Sequence, residues 1–498
     1  MKKIALLFLA ILLSISTFPS VSLAEENPIQ QEIIYDIMVD RFNNGDQAFS
    51  EQVRLEDPYA YHGGDLKGIE VKLDELKDLG FTSISLSPIM ANASDGYHGY
   101  WIEDFYTVEE QFGTMEDLQH LVEEAHKRDM KVMLELVTNY VASSHPIVSD
   151  PAKADWIVED ADVDTEQVQW LDNVKVLNQE NPEVQEMLVD VAQFWLEEAN
   201  VDGFILHAAD EASSDFIGTL TKELKAIKPN LYIIADLLGE EPQEALLAIP
   251  GIDVVENPAF SEAVANVFSQ INNPVLDIYN TWETLDNQGG LIYVDNKSME
   301  RFTQKAAENG RSAVNTWQLA LTYLLTSPGV PSVFQGSDVP MYGSKVEEVQ
   351  RLVDFNSGEA ELEEVYSKVL ALRKEFPVLQ YGDYKLVGSD GAMSVFKRSY
   401  QDETMYIAIN NDSVTKSVSL TDLDDGLQLH GLLGDDIVRQ LDNGEYKIGL
   451  ARETADVFII EEDSGINWVF ISPIIIVMLL FISGIVYLTR KQKKRDSN

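Results

Sequence analysis

The chain has 498 residues, 45% of them hydrophobic, enough for one large domain or two to three smaller ones around a substantial core. Its formal net charge of −48 disfavours nucleic acid as a partner and fits a self-repelling surface, or one that holds hard cations. The absence of cysteine excludes disulfide bracing and thiolate metal sites. From the N-terminus, Met1, Lys2 and Lys3 precede the apolar run Ile4 to Leu13, and Ser22 and Ala24 stand in small-x-small spacing. This predicts a secretory signal over 1–24.

From residue 25, apolar strand-like runs alternate with amphipathic helical ones. The runs 33–42, 82–88, 131–139, 201–208, 231–238, 252–258, 291–296 and 330–336 are each followed by helix-compatible sequence. That alternation predicts an α/β fold, a (β/α)8 TIM barrel over 25–380. The polar stretch 142–182 is too long for an ordinary connection, which predicts an inserted subdomain after strand 3. Short alternating strands and the turn DNG at 442–444 predict a C-terminal β-sandwich over 381–462. The apolar run Trp468 to Leu488, with Trp468 and Tyr487 at its ends, predicts a transmembrane helix over 463–489. The basic tail 490–498 would then be cytoplasmic, giving a single-pass protein of the cell membrane with an extracellular N-terminal ectodomain.

In such a barrel the chemistry sits at the C-terminal ends of the strands. That rule selects Asp40, Glu135, Asn139, His207, Asp236, Glu256, Asn296 to Ser298, and the loop DGYHGYW over 95–101. The stretches YHGGDLKGI (61–69), GYHGYWIEDFYTVEEQFGTMEDLQHLVEEAHKR (96–128), NQENPEVQEMLVDVAQFWLEEANVDGF (178–204) and YLLTSPGVPSVFQG (323–336) strongly resemble the α-amylase family of glycoside hydrolases. The resemblance implies an active site for α-linked glucans, with maltooligosaccharide or α-glucan as the partner.

Carried over position by position, the resemblance places the nucleophile at His207, the arginine that supports it at Ile205, and the general acid at Asp236. The third carboxylate falls on Ser298, beside Lys297 in place of a histidine. A retaining glycosidase needs two carboxyl groups about 5 to 5.5 Å apart, and an imidazole brings the wrong sign to an oxocarbenium-like centre. Glu240 and Glu241 are alternative acids if the fifth strand ends later. The resemblance also implies sugar contacts for Tyr97, His98, Tyr100 and Trp101, and for Tyr140 where the family has a histidine. Glu135 stands in place of an aspartate, and Asp210 and Glu211 in place of a Lys-His pair. Calcium (Ca2+) is implied at Asn44, Asp46, the Gly63 carbonyl and Asp65, and at Asn139, all oxygen donors. His98, His207 and Asp236 also form a set that suits a transition metal.

Three readings follow. The first is a membrane-anchored, catalytically impaired α-glucan-binding pseudoenzyme. The second is an active or weakly active α-1,4-glucan hydrolase. The third is a non-catalytic interaction ectodomain with a membrane-protein partner.

Overall fold

The computed structural model describes residues 27–47, 53–159, 161, 169–239, 244–463, 465 and 468–495. The expected signal segment, and Glu240 and Glu241, lie outside the described residues. Eight short strands form one parallel sheet: β1 (Ile34–Ile37), β2 (Ser83–Leu86), β3 (Lys131–Val137), β4 (Gly203–His207), β5 (Tyr232–Ala235), β6 (Val254–Val255), β7 (Leu291–Ile292) and β8 (Val330–Phe334). Their order is β6-β5-β4-β3-β2-β1-β8-β7, and a parallel bridge from Glu256 to Leu291 joins the outer two strands and closes the barrel. Each strand falls within its predicted apolar run, as expected of strands buried on both faces.

Helices cover the outside because their sequences are punctuated for it. In Leu66–Leu79, Asp65 accepts the Gly68 N–H at the start, Gly80 takes φ 115° at the end, and Leu66, Ile69, Leu73 and Leu76 form the buried side. In Met115–Lys127, Thr114 and Asp117 form a reciprocal capping box.

The barrel interior explains the site. Ile34, Met133, Ile205, Ile234, Val254, Leu291 and Val330 pack into one apolar floor. Side chains two residues apart on a strand share a face, so the next layer toward the C-terminal rim is Asp36, Glu135, His207, Asp236, Glu256 and Tyr293. A dry floor thus carries a polar ceiling, and the groups in that ceiling must satisfy one another or a ligand.

Two insertions roof the barrel. The paired strands Met90–Asn92 and Ile102–Val108 hold the loop 95–101. After β3, Tyr140–Ala142 pairs with Val174–Val176, and the turn Gln169–Asn173 carries Trp170, whose carbonyl accepts the Trp101 indole N–H at 2.6 Å. From Asp383 to Glu462 an antiparallel six-stranded sheet and a two-stranded sheet pack on Met393, Tyr406, Leu420, Leu429, Ile448 and Phe458. Arg311 links this domain to the barrel, donating to Asn411 at 2.7 Å and pairing with Glu453 at 2.9 Å.

The expected transmembrane helix is overturned. Trp468–Arg495 is helical, but among the described residues no helix is long and apolar enough to cross a membrane. Pro473 lies inside the helix, and Arg490 begins a basic run at its end. The single-pass membrane placement, the cytoplasmic tail over 490–498 and the membrane-protein partner lose their basis with it.

Candidate active site

A cavity of about 460 Å³ opens at the C-terminal rim of the barrel, with Asp36, His207, Asp236, Glu256, Tyr293 and Lys297 in its wall. His207 ends β4, and the next residue, Ala208, turns into the left-handed region at φ 50°, ψ 47°, a cost of roughly 1–2 kcal/mol for a residue with a Cβ. The turn aims the Ala208 N–H at Asp236 Oδ1, 2.6 Å away. Asn139 holds the turn from the other side, donating to the carbonyls of His207 at 3.3 Å and Ala208 at 2.7 Å while accepting from Gln179 at 2.8 Å.

The imidazole is set between two carboxylates. His207 Nδ1 lies 3.0 Å from Glu135 Oε1 and 3.4 Å from Asp236 Oδ2. Glu135 Oε1 also accepts the Tyr100 hydroxyl at 2.8 Å, and its Oε2 pairs with the Lys297 ammonium. The Tyr100 ring covers the imidazole, with centroids 4.5 Å apart, and Trp170 stacks on Tyr100 at 4.6 Å. His207 Nε2 is buried and without a hydrogen-bond partner.

Burial opposes charge on His207, but Asp236 and Glu135 outweigh it and push the imidazole up to about 9, so it is cationic at neutral pH. Burial likewise opposes charge on Glu135, yet Lys297 and His207 hold it below the ordinary carboxylate range. Glu256 behaves oppositely: burial, then the charge of Asp236, push it up to about 8, although the Leu237 N–H donates to it at 2.7 Å. Burial also raises Asp36 in the same cavity wall. His98 is driven down to about 3 by burial, Arg41 and His207, and its Nδ1 accepts the Tyr100 N–H at 3.1 Å.

The structure brings His207 and Asp236 together but leaves Ser298 exposed at the cavity mouth, its N–H donated to Asn296 at 2.9 Å. Tyr97, His98 and Trp101 line a neighbouring pocket with Trp170, and Tyr100 packs between the two cavities. Tyr140 is buried on the inserted hairpin and lines neither cavity. At the calcium loop, Asp65 accepts the N–H groups of Gly68, Asp46 and Gly45, and Lys67 sits 2.6 Å from Asp46. Asn139 is committed to backbone carbonyls and Gln179. These oxygens are engaged by protein partners. Sequence reasoning missed Lys297 and Trp170 as neighbours of the imidazole and gave Glu135 and Glu256 no role. For the two glutamates the i, i+2 step from the apolar floor was the available signal.

A closed parallel barrel with ionisable groups at its C-terminal rim, roofed by an insertion after the third strand, places the candidate site where barrel enzymes carry their chemistry. Residues 36–170 match the family described as "Alpha amylase, catalytic domain", and residues 382–458 match "Alpha-amylase C-terminal domain". An Anoxybacillus α-amylase crystal structure is 40% identical, with a TM-score of 0.83 over 88% of this chain and 99% of that one. The α-amylase of Geobacillus thermoleovorans, solved with acarbose, is 39% identical, with a TM-score of 0.81 over 87% and 99% of the two chains. The chain belongs to the α-amylase family. A cyclomaltodextrinase of Thermoanaerobacter pseudethanolicus is 29% identical over 79% of this chain and 72% of its own. The chain spans 38% of the length of a Paenibacillus polymyxa "Beta/alpha-amylase", to which it is 28% identical.

These relatives are named as hydrolases, which runs against the expected membrane-anchored pseudoenzyme. With no membrane span among the described residues, that reading is overturned on both counts.

Proposed function

We propose that the chain is a slow hydrolase of α-linked gluco-oligosaccharides. The observation that carries the reading is the pair of carboxyl groups at the ends of β5 and β6. Asp236 and Glu256 share one cavity wall, and Glu256 keeps its proton to about pH 8. A glycosidase divides its work between an acid that holds a proton and a second carboxyl group, and these two side chains supply the pair. Glu256 would give its proton to the departing glycosidic oxygen, and Asp236 would face the anomeric carbon or the water that attacks it. The resemblance puts a carboxylate at 207 and another at 298. Here an imidazolium and a hydroxyl stand in those positions, so less negative charge meets the oxocarbenium-like centre, and the reaction is slow for that reason.

The relatives' names and the acarbose complex of the Geobacillus enzyme support the substrate class. The test incubates purified protein with maltoheptaose, a cyclodextrin and an aryl maltoside, following reducing ends and anomeric configuration by NMR. Turnover lost in Asp236→Asn and in Glu256→Gln supports the reading; no turnover at high protein concentration overturns it.

A further inference from the structure

Three potential metal ligands stand at the rim of β3, β4 and β5, and their geometry has the dimensions of a cation site. Glu135 Oε1 and Asp236 Oδ2 lie 3.0 and 3.4 Å from His207 Nδ1, and one ligand atom from each of the three residues lies within 4.8 Å of the others. Four-coordinate zinc with bonds of 2.0–2.1 Å requires neighbouring ligand atoms to be about 3.3 Å apart. Two of the three separations already match.

The second oxygen of each carboxylate is held elsewhere. Lys297 takes Glu135 Oε2, and the Ala208 N–H takes Asp236 Oδ1 at 2.6 Å, so each group presents one oxygen toward the imidazole. The Tyr100 hydroxyl donates to Glu135 Oε1 at 2.8 Å, the kind of outer hydrogen bond that orients a ligating carboxylate. His207 and Asp236 line the cavity, so a fourth position would face it, open to water or a sugar hydroxyl. His98 is not part of the set: its Nδ1 accepts the Tyr100 N–H, and the side chain that completes the triad is Glu135.

We propose that Glu135, His207 and Asp236 form a binding site for a divalent transition metal, with zinc the best fit, inside the glucan cleft. One imidazole nitrogen and two carboxylate oxygens suit zinc or cobalt and lack the soft thiolates that copper(I) prefers. Binding exchanges the proton on His207 Nδ1 for the metal, so it releases that proton. It also engages Asp236, so the bound ion suppresses glucan hydrolysis. The site does not rest on the hydrolase reading, because its test needs no turnover.

Cobalt(II) serves as the spectroscopic probe. Full-length protein is titrated at pH 8 with Co2+, the visible ligand-field absorption is followed, and Zn2+ is added to displace it. The expected result is a signal that saturates at one equivalent and is abolished by Zn2+. His207→Ala and Asp236→Asn should each weaken binding at least ~100-fold. Tyr100→Phe, which keeps all three ligands, should weaken it about 10-fold, within the range for outer-shell partners. Circular dichroism verifies that each variant is folded, and Tyr100→Phe keeps the test valid if a ligand variant is not. No saturable signal in the wild type, or weak non-stoichiometric binding that His207→Ala leaves unchanged, overturns the proposal. Absent glucan hydrolysis in metal-free protein bears only on the function proposed above.

Discussion

Glu256→Gln tests the state of the cavity without any substrate. In the folded protein the carboxyl keeps its proton to about pH 8, against an ordinary value of 4.5. The folded value is raised, so the stability linked to this proton is fully present below pH 4.5 and is lost as the pH climbs to about 8. Between those values the unfolded chain has released a proton that the folded chain keeps, and stability falls by ~1.4 kcal/mol per pH unit. The full loss is about 5 kcal/mol from this one group. Glutamine has nearly the same shape, can still accept the Leu237 N–H, and does not ionise. Urea unfolding should therefore find variant and wild type within about 1 kcal/mol at pH 5, with the variant gaining steadily to an advantage approaching about 5 kcal/mol at pH 9. His207 adds its own alkaline loss, but to both proteins, so it cancels in the difference. A difference that stays flat with pH, or a variant less stable at pH 9, would refute a buried, protonated Glu256. The same group should give wild-type hydrolysis an alkaline limb near pH 8, and the variant should lose at least ~100-fold in rate, the lower bound for removing a general acid.

Lys297→Met should cost about 1.5–3 kcal/mol in urea unfolding, the range for hydrogen bonds to charged groups, because Glu135 keeps only the His207 imidazolium as a counter-charge; Lys297→Met with Glu135→Gln should recover part of that, and equal costs for single and double variants would contradict a working pair. Arg373 is buried and donates to the carbonyls of Leu325, Ser327, Leu379, Gln30 and Gly329, so Arg373→Met should destabilise by more than about 3 kcal/mol; a loss below 1 kcal/mol would show that those carbonyls find other donors. Because Asp65 and Asp46 are committed to backbone N–H groups and Lys67, neither calcium nor a chelator should move the thermal midpoint; a calcium-dependent rise of several degrees would put an ion in that loop.

The barrel was legible because a strand buried on both faces leaves a short apolar run that hardly depends on its neighbours, and all eight runs contain their strands. The ceiling of the barrel was half legible. Stepping two residues from Ile205 to His207, or from Ile234 to Asp236, stays on one face, and the same step reaches Glu135 and Glu256. What the sequence hides is pairing across long separations. Lys297 meets Glu135 across 162 positions, and Trp170 reaches the cleft only through the tertiary course of a polar insertion. Ser298 stands at the cavity mouth because β7 lasts only two residues and the chain beyond it bends outward. The segment 463–489 was read as a span from the apolar run Trp468 to Leu488 and the basic tail behind it, but among the described residues no helix is long and apolar enough to cross a membrane.

The two residues of β4 that face the interior belong to one electrostatic arrangement. The resemblance sets an arginine at 205 beneath an aspartate at 207, an ion pair stacked along one strand. Side chains two residues apart are about 6.6 Å apart along a strand, and two like charges at that distance repel by about 2.5 kcal/mol at an effective dielectric constant of 20. A cationic imidazole above an arginine would carry that cost, whereas above Ile205 it carries none, and Ile205 completes the apolar floor. Balance comes instead from the sides, where Glu135 and Asp236 face the same nitrogen. His207→Asp alone would leave three carboxylates around Lys297 with no imidazolium between them, so the charge pattern the resemblance implies is reached only with Ile205→Arg in the same chain. The residues at 205 and 207 are therefore expected to tolerate exchange as a pair and not singly.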